Sequence, residues 1–122
     1  MKFFRLGFLI LIASIVFASP AKSAESLDQT ISYLIEYIAG AKATFIRNGT
    51  PHTPAEAAAH IKAKYAHFKT EIKTPEDFIR LSASKSLLSG KPYLVRLPDG
   101  REMHLDGWLT DALKRRRSES HS

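Results

Sequence analysis

Apolar positions along this chain fall into an amino-terminal block followed by a series of periodic segments. Leu6 to Ala18 is an unbroken run of 13 apolar or small residues. Lys2 and Arg5 precede it, and Ser19, Pro20, Ala21, Lys22, Ser23 and Ala24 follow as a small-residue stretch with a helix breaker. A positive start, a short apolar run and a small-residue exit make the pattern of a secretory signal. Crossing a bilayer as a helix takes roughly 20 residues, so a cleaved signal is favoured over a permanent anchor. Cleavage is expected near Ala24, which leaves about a hundred residues for one domain with one modest core.

Helical periodicity follows. Leu27, Ile31, Leu34, Ile35, Ile38 and Phe45 recur on one face, which predicts a first helix over 27–47. Ser26 and Gln29 have capping-box spacing at its start, and Asn48-Gly49 tolerates the left-handed backbone of a helix end. Thr53-Pro54-Ala55-Glu56 opens a second helix with a capping Thr, Pro in the first turn and Glu at the third position. Its apolar stripe is Ala57, Ile61, Tyr65, Phe68 and Ile72. Thr74-Pro75-Glu76-Asp77 repeats the device for a short third helix that buries Phe78 and Ile79. Ser82, Ser84, Ser86 and Ser89, with Lys85, Gly90 and Lys91, read as a loop. Tyr93–Leu97 and Arg101–Leu105 flank the turn signal Pro98-Asp99-Gly100, which predicts a hairpin. Asp106 is placed to cap a last helix that packs Trp108, Leu109, Ala112 and Leu113 inward. The expected fold class is α+β: a small, mainly helical domain of about four helices with one β-hairpin, preceded by a signal-peptide helix. The expected division is a signal at 1–24, a single globular domain at 25–113 and a basic, disordered tail at 114–122. An isolated two-stranded hairpin is marginal in water, so it must pack on the helices or pair with another chain.

Charge changes the picture less than its total suggests. The formal net charge is +6. Lys2, Arg5 and Lys22 lie in the signal, and Lys114, Arg115, Arg116 and Arg117 lie in the tail, so the body between is balanced. A neutral body with a basic end lacks the basic face that nucleic acid requires. The tail run is placed to touch an anionic surface, or to complement the carbonyls of a helix end. There is no cysteine. The chain therefore has no disulfide and no acylated-cysteine anchor.

Several short strings then resemble a known family. Phe45-Ile46-Arg47-Asn48-Gly49, His52-Thr53, Glu56-Ala57 and His60 resemble the opening motif of the YfeK-like proteins. Ile72 with Thr74, Phe78-Ile79, Ala83-Ser84 with Ser86, Ser89-Gly90-Lys91-Pro92-Tyr93 and Val95 continue the likeness in order. The resemblance covers Phe45 to Val95, about half of the chain beyond the signal. It implies a small protein of a Gram-negative periplasm. It implies no activity and carries over no active site.

The candidate chemistry is sparse. Glu56, His60, Lys64 and His67 fall beside the apolar stripe of the second helix, with His52 just before it. Glu and His at i and i+4 are able to share a metal, but no second ligand pair stands at metal spacing, so no metal is assigned. Ser82-Ala83-Ser84-Lys85 fits a Ser-x-x-Lys nucleophile pattern, without the third motif or the larger scaffold that chemistry needs. Ser89-Gly90-Lys91 lacks the glycine spacing and the following hydroxyl of a phosphate loop. No cofactor is called for. The remaining grouping is one of anion donors: Arg47, His52, His60, Ser84, Ser86, Ser89 and Lys91 line one shallow pocket if the second helix packs its flank on the serine loop. The favoured function is a non-enzymatic, periplasmic ligand-binding or protein-interaction module. Its partner would be a small anionic ligand or an envelope protein. The alternatives are a small hydrolase or sensor using the serine loop and a nearby histidine, and an envelope-associated structural protein held by its basic tail.

Overall fold

The computed structural model describes residues 25–120. The expected signal segment lies outside the described residues. Four helices, α1 (Leu27–Ala39), α2 (Pro54–Phe68), α3 (Pro75–Ser82) and α4 (Leu105–Ser120), share one core with four strands, β1 (Thr44–Arg47), β2 (Thr50–His52), β3 (Leu94–Arg96) and β4 (Glu102–His104). The fold is α+β. The strands form one antiparallel sheet in the order β2-β1-β3-β4.

Three helix starts follow their sequence signals. Ser26 with Gln29, Thr53 with Glu56, and Thr74 with Asp77 each form a reciprocal capping box. Each box satisfies two backbone donors that the helix start would otherwise leave unpaired. α1 turns Ile31, Leu34 and Ile38 inward, and all three are fully buried. Ile61 of α2, Phe78 of α3 and Leu109 and Leu113 of α4 meet them, with Val95 of the sheet. Tyr65 Oη donates to Asp28 Oδ1 at 2.6 Å and ties α2 to α1. That bond holds the phenol neutral and pushes its pKa up to about 12.

The first helix is shorter than its periodicity predicts. It ends at Ala39, with Gly40 as its C-cap, and Thr44–Arg47 becomes the inner strand β1. Asn48 and Gly49 have φ of 53° and 77°. Two successive left-handed residues make the turn that matches the twist of a two-residue hairpin, so Asn48-Gly49 reverses a strand and does not end a helix. The sheet therefore contains two hairpins where the sequence suggested one. The second hairpin pairs through β3 with β1, with Phe45 opposite Val95.

The carboxy-terminal run also differs from expectation. Residues 114–120, read as part of a disordered tail, continue α4. Arg116 Nη2 meets Glu25 Oε2 at 3.0 Å, and Arg117 forms two 2.9 Å bonds with the Glu76 carboxylate. Arg115 donates to Tyr37 Oη at 2.8 Å. These contacts hold the last turns against α1 and α3. The helix begins at Leu105 itself, and Asp106 Oδ1 accepts from the Gly107 backbone N–H at 2.7 Å.

Candidate functional site

The strand–turn–strand–helix run from β1 to α2 places three basic side chains around one crevice. Arg47 ends β1. His52 ends β2 one residue before the Thr53 cap, and His60 lies two turns into α2. The crevice also takes Phe45, Ile46, Ala57, Ile61, Leu94 and Leu105 as apolar walls, with Tyr93 and Glu56 at its polar edge. Its volume is about 30 Å³. A ligand of drug size has no room in it, whereas the charged end of a larger molecule does.

Behind this crevice is a buried polar chain. Lys64 lies one turn beyond His60 on α2 and is only 7% exposed. Its Nζ donates to the Lys85 carbonyl at 2.8 Å and to Tyr93 Oη at 3.0 Å. Tyr93 Oη is also 3.0 Å from His60 Nε2. A hydroxyl that accepts from an ammonium has its single proton free to donate. Tyr93 is then able to donate to His60 Nε2 in the tautomer that carries the ring proton on Nδ1. The Lys64 ammonium has no carboxylate among its hydrogen-bond partners.

The electrostatics follow from that arrangement. Burial lowers the His60 pKa, and the charges of Arg47, Lys64 and His52 lower it further. Burial also lowers the Lys64 pKa, again with help from Arg47. Burial raises the Tyr93 phenol. These cations disfavour one another, and the nearest acid is already engaged. Glu56 accepts from the Thr53 backbone at 3.2 Å and stands 3.6 Å from His52 Nδ1. The Thr53 backbone bond is the main reason its pKa is lowered.

Residues 25–117, from the start of α1 to near the end of α4, match the family described as "Family of unknown function (DUF5329)". The chain belongs to the DUF5329 family. The "Uncharacterized protein YfeK" of Salmonella typhimurium is 44% identical over 50 residues, which are 41% of this chain and 42% of that protein. The chain thus spans about two-fifths of the curated relative it matches. The YfeK-like resemblance read from the sequence agrees with both findings. No solved structure matches.

The DUF5329 fold brings Arg47, His52 and His60 together and directs the other sequence candidates elsewhere. Ser84 Oγ donates to the Arg80 carbonyl at 2.6 Å and lines a different groove, between α3 and the start of α4. Ser86 is buried, and its Oγ accepts from Asn48 Nδ2 and from the Leu88 backbone N–H, each at 3.3 Å. Ser89 Oγ donates to Asn48 Oδ1 and accepts from the Lys91 backbone N–H. The two serines clamp the loop to the β1–β2 turn. Lys91 is exposed, outside the crevice lining. Among the described residues, the hydrogen bonds of Ser84, Ser86 and Ser89 involve no His or Lys side-chain nitrogen. Likewise no three His, Asp or Glu residues among them gather as a metal set. His67 packs on the neighbouring Phe68 ring, away from this crevice.

Tyr93, at the polar edge of the crevice, and Lys64, behind it, are not in the pocket set that the sequence suggests, which leaves Lys64 on the flank of the second helix. Lys64 stands three residues after Ile61 and four before Phe68, which is core spacing on a helix. A lysine at such a position is the signal that would have found it.

Proposed function

We propose that this protein is an exported, periplasmic, non-enzymatic binding module that holds a small anionic group in the crevice between α2 and the β1–β2 hairpin. One observation carries the reading. Among the described residues, the buried Lys64 ammonium has no carboxylate as a hydrogen-bond partner and stands, through Tyr93, behind a crevice edged by Arg47, His52 and His60. Burying an uncompensated cation is costly, so an anion that enters such a site gains from the surplus. The apolar walls and the small volume favour a carboxylate or a phosphate oxygen at the end of a molecule whose remainder stays outside. Export is supported by the Lys2/Arg5 start, the apolar run Leu6–Ala18 and the small-residue exit near Ala24.

The experiment is a stability titration of the chain recovered from periplasm, its mass first read for loss of residues 1–24. Acetate and phosphate, added at constant ionic strength, should raise Tm in proportion to ln(1 + [L]/Kd). Arg47→Ala should remove that dependence and leave the ligand-free Tm within a few degrees. A wild-type Tm indifferent to both anions would sink the anion reading. A chain retained at full mass in the membrane would sink export.

A further inference from the structure

Leu87 and Leu88 are the large hydrophobic side chains left exposed among the described residues, at 63% and 97%. They stand at the tip of the loop joining α3 to β3, and the loop is tightly bonded. Lys85 bridges Pro92, and the Ser86 N–H donates to the Lys91 carbonyl at 3.0 Å. The Gly90 N–H returns to the Ser86 carbonyl at 2.9 Å, with Gly90 at φ 71°, and Tyr93 N–H donates to the Ser84 carbonyl at 3.0 Å. Ser86 and Ser89 anchor the same turn to Asn48, and Lys64 holds the Lys85 carbonyl from within. The polar groups of this loop are spent on fixing its shape, and that shape presents two leucines to water.

Charge indicates what they meet. Between Asp77 and Asp99 the chain carries Arg80, Lys85, Lys91 and Arg96 and no acidic residue. Lys85 and Lys91 are exposed and flank the two leucines. An apolar tip between basic shoulders matches the interface of an anionic bilayer, with acyl chains below and phosphates at lysine height. A protein partner needs about 800 Å² of complementary surface per side, and a two-residue convex tip supplies little of that.

We propose that the loop from Ala83 to Pro92 is a membrane-docking tip, with Leu87 and Leu88 entering a bilayer that bears anionic headgroups and Lys85 and Lys91 contacting the phosphates. This surface lies outside the lining of the anion crevice. The chain has no cysteine, so Leu88→Cys in the full chain accepts a single environment-sensitive fluorophore. The label reports burial at residue 88 itself, whatever other segment touches lipid.

With phosphatidylglycerol-containing vesicles the emission should shift to the blue, and with phosphatidylcholine alone it should stay near its aqueous position. Leu87→Asp should abolish the shift without moving Tm. The double change Lys85→Gln and Lys91→Gln should weaken the response about tenfold or more. An unshifted label on anionic vesicles would overturn the proposal, as would a shift that survives Leu87→Asp. Crosslinking of residue 88 to a protein, with no lipid response, would assign the tip to a protein partner and overturn it equally.

Discussion

Lys64 is the residue on which the candidate site turns. It occupies a core position of α2, and its ammonium there is held by the Lys85 carbonyl and the Tyr93 phenol. Groups kept at a cost to stability are expected where they serve binding. Lys64→Met preserves length and fills the same space. It removes a desolvated charge but also the donor to the Lys85 carbonyl, so the two effects oppose and stability in urea unfolding should change by no more than about 2 kcal/mol. The same change should weaken anion binding. A loss of stability of several kcal/mol would show that the ammonium is fully satisfied and has no surplus for a ligand. At this scale the sequence was partly legible. Arg47, His52 and His60 stand close together in the chain and meet. The serines do not join them, because a hydroxyl beside a free backbone N–H satisfies that N–H first, as Ser86 does.

At the scale of elements, local signals were read well and long-range ones were not. Ser26, Thr53 and Thr74 announce their helices, because a capping box is complete within four residues. β1 was read as the end of α1 for a physical reason: Ile38 and Phe45 are seven residues apart, which suits one helical face as well as two separate elements. Asn48-Gly49 also suits both a helix end and a hairpin. The choice is made by pairing with β3, almost fifty residues later, and no local pattern carries that. The turn itself is testable. Gly49 has φ 77° and open space around its missing side chain, so Gly49→Val should cost about 1–2 kcal/mol through backbone strain alone. Because His52 lies just beyond this turn, anion affinity should fall with it. A variant with unchanged thermal unfolding would mean that the turn does not hold the positive-φ geometry.

At the scale of the whole molecule, a balanced body carries two local concentrations of positive charge. One is at the inner crevice, where burial and then the charges of Arg47, Lys64 and His52 lower the His60 pKa. The other is the loop tip, where Lys85 and Lys91 surround exposed leucines. The basic run at the end of α4 differs from both, since Arg116 and Arg117 are paired with Glu25 and Glu76. Membership of the DUF5329 family extends over residues 25–117, so the elements that build the crevice and the tip all lie within the family region.

The most direct measurement is an NMR titration of the histidine side chains with phosphate, repeated with acetate, at neutral pH and again about one pH unit lower. His60 titrates below the ordinary histidine range, because burial and its cationic neighbours oppose its charge. An anion in the crevice reverses part of that penalty, so binding should raise the His60 pKa, and by linkage affinity should increase as pH falls. Saturable shifts of the His60 ring, stronger at the lower pH, are expected, with exposed His67 unmoved. Equal small shifts at every histidine, or a His60 ring that ignores both anions while the fold stays intact, would contradict anion binding in the crevice.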